Sequence, residues 1–429
     1  MRMLGLLLVL AATPVAAQTI AVTHAEAWTM ATAAPVKDAT ILIENGRIVS
    51  VTAGGGVPQG ATVIDAKGKP VTPGFMNAAT QVGLVEVNSA SATRDQGSAD
   101  ERNPGFDPAR ALNGNSTLVD LIRADGITRA FLYPAPSRQP VFAGEPVMAH
   151  YRDGVDILDR REAAVFVVIG GGAWDRIGSR AQQWTVLRKA LTDAKGAMAA
   201  VDAAKGKGKH GGPPPGRGRR GGGDPMRGVI AGEVPLAIHT NRESDIRQAI
   251  ALAADFGIRV VIVEGVEAWR AADALAAAKI PVVLDPSVNL PGSFDELGAR
   301  QDNAAILARA GVPIAFGMAG GKIHMTYNAG LALREGAGIA VANGLPWIEG
   351  LRAVTVNPQA IWAAGTGADG PDAHRGAGTL TPGAEADLVV WDGDPLEPST
   401  NAVAVIVEGR QAGIRSRQDQ LAERYKDAR

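Results

Sequence analysis

The chain has 429 residues, with 43 Lys and Arg against 44 Asp and Glu, a formal net charge of −1. That balance gives no global pull toward nucleic acid or an anionic membrane, and the length allows a large core and two domains. With no cysteine, disulfides, thiolate metal sites and a Cys nucleophile are excluded; His24, His150, His210, His239, His324 and His374 are the only imidazoles.

Residues 1–17 read as a signal peptide. Arg2 supplies the basic start, Leu4 to Ala12 the apolar run, and Pro14 a break before Val15-Ala16-Ala17, which suits cleavage near Ala17. The run is too short to span a bilayer, and no later stretch reaches about 18 apolar residues. These features imply a periplasmic or secreted protein without stable membrane insertion.

Residues 18–72 read as short strands. ATILIENGRIVSV alternates and carries Asn45-Gly46, a strong hairpin signal, and TVIDAKGKPV turns at Lys67-Gly68. The middle, 73–374, alternates apolar runs with Ala-rich helical stretches, the pattern of βα units on a parallel sheet. Strand candidates are FMNAATQV, ITRAFLYP, AAVFVVIG, PLAIHT, RVVIVEG, IPVVLDP and PIAFGMAG. Helices are expected at Glu243–Ala254, Ala268–Ala278 and Asp302–Ala310, the first opened by a Thr240/Glu243 capping box. Seven strands plus one unplaced between Pro134 and Arg180 suit a (β/α)₈ TIM-like barrel, an α/β fold.

Within this middle, 203–228 is Gly/Pro/basic and is expected to be a disordered loop. Its Gly216-x-Gly218-x-x-Gly221 imitates a dinucleotide fingerprint but lacks the flanking strand and helix. Asp255-Phe256-Gly257 sits where a helix ends on glycine, with no kinase context. EADLVVWDGDP and AVAVIVEGRQ then return to strands, so 18–72 and 375–429 are expected to pair into a composite β-sandwich. The final SRQDQLAERYKDAR reads as a charged helix.

ILIENGRIVSV, VIDAKGKPVTPGFMNA, VTVNPQAI and GTLTPGAEADLVVWDGDP together resemble the amidohydrolase superfamily, nearest to exported members of the imidazolonepropionase and Xaa-Pro dipeptidase-like type. The resemblance covers nearly the whole chain beyond residue 17. It implies a metal-dependent barrel with a composite sandwich, hydrolysing C–N and related bonds with metal-activated water. It also implies ligand positions. The family's first-strand H-x-H falls on Ala79 and Gln81. The fifth-strand histidine matches His239, the sixth-strand histidine falls on Glu264, and the eighth-strand aspartate, ligand and general base, falls on Ala319. The fourth-strand Lys or Glu has no evident counterpart in AVFVVIGG.

Alanine offers no ligand atom and glutamine only a neutral carbonyl, which suits zinc poorly. A complete closed zinc site is worth about 10–16 kcal/mol. Without the ion, water returns from a pKa of about 7 to about 15.7, and loss of the base at Ala319 removes about 10²–10⁴-fold more. The leading expectation is a degenerate centre with no cofactor and no confident catalytic residue. Such a chain would be a non-catalytic binding or accessory subunit partnering an active amidohydrolase homologue. The enzyme alternative is a C–N hydrolase with one Zn or other divalent metal at a remodelled site. His239 and Glu264 are its metal candidates, with Asp285 or His324 as third ligand. A third reading is a receptor holding a small-molecule ligand at the barrel mouth. Ser89, Ser91 and Ser116 lie in polar loops without a G-x-S-x-G elbow.

Overall fold

The computed structural model describes residues 19–87, 89–97, 104–135, 141–171, 178–206, 224–317, 328–363, 376–415 and 417–426. The expected signal peptide lies outside them.

The chain opens with β1 (Ile20–Ala27), β2 (Val36–Glu44), β3 (Arg47–Ala53), β4 (Thr62–Asp65) and β5 (Pro70–Pro73). Alternation in ATILIE buries Ile41 and Ile43 completely. The β2–β3 hairpin closes at Glu44↔Arg47. Asn45 and Gly46 both take positive φ, +51° and +77°, the backbone a tight hairpin turn demands. The middle contributes β6 (Phe75–Thr80), β7 (Ile127–Leu132), β8 (Phe142–Gly144), β9 (Val147–His150), β10 (Leu158–Arg160), β11 (Val165–Val168), β12 (Leu236–Thr240), β13 (Val260–Glu264), β14 (Val282–Leu284) and β15 (Ile314–Phe316). β16 (Leu388–Trp391), β17 (Ala402–Val407) and β18 (Arg410–Gln411) complete the set.

Strands from both ends of the chain share one eight-stranded sheet, ordered β18-β17-β16-β5-β1-β2-β3 with β4 beside β1. All seven middle strands read from the sequence are present. β6 pairs parallel with β7, and β11 through β15 form a parallel run. The unplaced eighth strand is replaced, among the described residues, by a short reversing pair. β9 lies antiparallel to β7, and β8 antiparallel to β11. Each is only three or four residues long, below the reach of a periodicity argument.

Ten helices among the described residues flank these strands: α1 (Thr117–Ala124), α2 (Arg180–Gly206), α3 (Pro225–Ile230), α4 (Glu243–Phe256), α5 (Ala272–Ala277), α6 (Asn303–Arg309), α7 (Ala329–Ala342), α8 (Trp347–Ala353), α9 (Val356–Ala363) and α10 (Arg417–Tyr425). The expected helix Ala268–Ala278 begins as a 3₁₀ turn at Ala268–Ala271 before α5. The Thr240 capping box does not form, because Thr240 ends β12 and the N-cap is Arg242, whose side chain makes no cap bond. Glu267 accepts the Glu243 N–H at 3.0 Å instead. At the ends of the expected loop 203–228 the chain is helical, since α2 continues to Gly206 and Asp224 caps α3, while 207–223 lie outside the described residues. α4 ends where Gly257 turns left-handed at φ +66°.

Alternate residues of the middle strands divide two cores. Phe75, Ile127, Leu236, Ile238, Val260 and Ile262 join the larger cluster with helix side chains such as Ile246 and Leu252. Met76, Phe131, Phe166, Ala237, Val261 and Val263 point the other way, into a second cluster with Trp362. Gly74 is required at the entry to β6, since a Cβ there would lie 2.2 Å from Thr128 Oγ1.

Candidate functional site

His239 and Glu264 lie at the C-terminal ends of neighbouring parallel strands, where such folds place chemistry. His239 continues the inner alternation of Ala237. Glu264 by alternation belongs with Val260 and Ile262, on the outer side. As the last residue of β13 its backbone leaves the extended region: φ is +71°, followed by Gly265 at +53°. This left-handed turn, costly for a residue with a Cβ, accompanies a carboxylate set 2.9 Å from His239 Nε2. Asn241 Nδ2 donates to the same oxygen at 2.7 Å, and Asn241 Oδ1 accepts the Val266 N–H at 3.2 Å.

Burial opposes the imidazolium, but the charge and hydrogen bond of Glu264 outweigh it, with a smaller pull from Glu296, and hold His239 above its ordinary pKa. Tyr133, on β7's inner alternation, is pushed well above the phenol range by burial and then by Glu264. Its ring stacks on Phe166, centroids 5.1 Å apart.

Among the described residues, none of the remaining positions completes a group of three ligand atoms with this pair. Ala79 is fully buried in the inner cluster. Gly317 packs against it so closely that a Cβ there would lie 2.5 Å from Ala79 N. Beside them Trp362 stacks on Phe131 at 3.6 Å and 8° and donates Nε1–H to Ala78 O at 2.9 Å. Gln81 Nε2 donates to Tyr133 O at 3.4 Å. Asp285 lines a narrow cleft with Glu264. Its Oδ1 accepts Ser287 N–H and Oγ–H at 2.9 and 2.6 Å, fixing the loop root. Ala319 and His324 lie outside the described residues. Ser116 caps α1, and Ser89 and Ser91 are exposed.

Sequence reasoning missed a second cluster. Among the described residues, His150, Glu385 and Asp387 are the only three His, Asp or Glu whose ligand atoms all lie within 4.8 Å of one another. A cation already fills the middle. Arg129, on β7's inner alternation but toward its N-terminal end, pairs through Nε with Asp387 at 2.9 Å, through Nη1 with Asp159 at 2.9 Å, and through Nη2 with Glu385. His150 Nε2 lies 2.9 Å from Asp387. Although burial disfavours both charges, His150 and Arg129 hold Asp387 well below the carboxylate range, and Asp387, Asp159 and Glu385 raise Arg129. The available signal was one arginine inside the apolar run ITRAFL, which demands buried partners.

Among the described residues, a divalent metal therefore fits neither cluster. Near His239 and Glu264 the described donor set stops at two, each taken by the other, where catalytic zinc needs three protein ligands. At the second cluster a guanidinium holds the cation's place.

No protein-family model and no curated protein matches the sequence, whereas solved structures resemble the whole fold. An amidohydrolase from Thermotoga maritima MSB8 is similar with a TM-score of 0.78 at 23% identity, covering 92% of this chain and 99% of that one. A prolidase complexed with N-methylphosphonate-L-proline gives 0.53 at 18% identity, covering 92% and 99%. An enamidase described as a member of the amidohydrolase superfamily gives 0.51 at 15%, covering 93% and 97%. These likenesses establish a mixed α/β fold shared with solved amidohydrolases and agree with the resemblance read from the sequence. Among the described residues no helix is long and apolar enough to cross a membrane.

Proposed function

We propose that this chain is an exported protein that keeps the amidohydrolase framework without its metal chemistry. It serves as a non-catalytic binding or accessory subunit, with an active amidohydrolase as partner. In this reading the parallel strands β6, β7 and β11–β15, completed by β9 beside β7 and β8 beside β11, form a barrel related to (β/α)₈. The shared eight-stranded sheet is its composite β-sandwich. The close approach of Gly317, after β15, to Ala79 on β6 supports closure.

The observation that carries the functional reading is the donor set. His239 and Glu264 are closed on each other at 2.9 Å, while the first-strand positions hold a buried alanine and an amide bonded to the backbone. Metal analysis of protein purified without added metal tests it. The expected content is well below one transition-metal ion per chain, unchanged in His239→Ala. One ion per chain, lost together with amide hydrolysis in His239→Ala, overturns the proposal in favour of a C–N hydrolase with a remodelled mononuclear site. Capture from a periplasmic extract then separates a subunit, which brings an amidohydrolase with it, from a small-molecule receptor, which comes out alone.

A further inference from the structure

The segment after β14 crosses the end of the parallel run. In the sheet, β12 and β13 lie between β11 and β14, and their C-terminal ends carry His239 and Glu264. From β14 the chain reaches back to β11: Asp295 accepts the Gly171 N–H at 2.6 Å and pairs with Arg180. Arg180 in turn lies 3.0 Å from Asp245 on α4. The segment then returns to the β13 side, where Gly298 N–H donates to Glu267 at 2.8 Å and Trp269 Nε1–H donates to Gly298 O at 2.9 Å. The charge of Glu296, next to the Asp295 anchor, acts on His239.

Little apolar packing holds residues 289–298 down. Their large apolar side chains, Leu290, Phe294 and Leu297, are 76%, 88% and 65% exposed, the three highest values for large apolar residues in the described chain. Ahead of the Asp295 anchor the side-chain bonds are local. Gly292 N–H and Ser293 Oγ–H both go to Glu296, at 2.9 and 3.1 Å. A segment held by few polar ties and little buried apolar area opens at low free energy.

We propose that residues 289–298 form a lid over His239 and Glu264, latched to the β11 side by Asp295 through Gly171 and Arg180. Opening of this latch admits ligand to the mouth, and it does so whether or not the pair holds a metal.

Histidine carbethoxylation with diethyl pyrocarbonate, followed by peptide mass spectrometry on chelator-dialysed full chain, reads the latch directly. His24 is exposed and His150 buried, so the two serve as internal references. Asp295→Ala and, independently, Arg180→Ala are expected to speed labelling of His239 about tenfold, the factor by which loss of a charge-assisted hydrogen bond shifts an opening equilibrium. His24 and His150 should keep their wild-type rates. Amides 289–298 should exchange faster than those of β12 and β13. Unchanged labelling of His239 in both variants overturns the lid. So does a parallel rise at His150, which means that the residues support the whole fold rather than a latch.

Discussion

The two ionisable clusters of the inner face differ in what occupies their middle. Around Arg129, three carboxylates and His150 converge on a guanidinium that cannot leave. At the other end of the strands, His239 and Glu264 pair with one another, and Asn241 donates to the same Glu264 oxygen. The first is a finished ion-pair network joining β7 to the segment before β16, so it ties the middle strands to the shared sheet. The second is a partial donor set beside an apolar interior. Proximity of His, Asp and Glu is therefore not enough to mark a metal site: the tighter cluster already holds Arg129, and the difference lies in which cation the chain itself supplies.

The largest effect should come from emptying the finished cluster. Arg129→Met leaves buried carboxylates without their cation and is expected to cost about 3–5 kcal/mol in urea unfolding. In the wild type, Asp387 has a depressed folded pKa. Its contribution is thus present above the unfolded carboxylate value of about 3.9 and is lost as pH falls further. The variant should show a shallower loss of stability on acidification.

Restoring the family's ligands should be costly and should not restore the ion. Ala79→His places an imidazole against Gly317 in a filled interior, an overpacking that costs about 1–3 kcal/mol. Dialysis against zinc should leave the Ala79→His, Gln81→His double variant below one ion per chain. Full occupancy would show that the first-strand losses alone disabled the centre.

A smaller difference reads the left-handed backbone at Glu264. Glu264→Gly should be more stable than Glu264→Ala by about 1 kcal/mol, since only glycine takes this φ freely. Equal melting curves would mean that the strain is relieved elsewhere.

The smallest effect is a pH trend. His239 has a raised folded pKa, so the stability from its pairing is complete below the unfolded value of about 6.5 and fades as pH rises through the folded one. The melting-temperature gap between wild type and Glu264→Gln should narrow from about pH 6.5 upward. A gap that widens with pH would mean that His239 is neutral in the folded chain.

Much of the framework was legible without coordinates. The seven middle strands announced themselves because burial on both faces leaves continuous apolar runs. The hairpin at Asn45-Gly46 was legible because few residue pairs accept two positive φ angles. The short β8/β9 pair was not, since three or four residues carry no period. The Thr240 capping box misled, because Glu267, 24 residues beyond Glu243 in sequence, accepts the Glu243 N–H instead.

By itself the sequence determined which residue types were available: no thiol, an alanine and a glutamine at the first-strand positions, one histidine and one glutamate near the strand ends. Only the tertiary structure decided what those residues do. A left-handed turn set Glu264 against His239, Arg129 gathered acids lying up to 258 residues away, and Asp295 reached across two strands to Gly171. Each is a long-range encounter between side chains that no local pattern encodes, because alternation and capping describe a chain's neighbours in sequence and charge pairing acts through space.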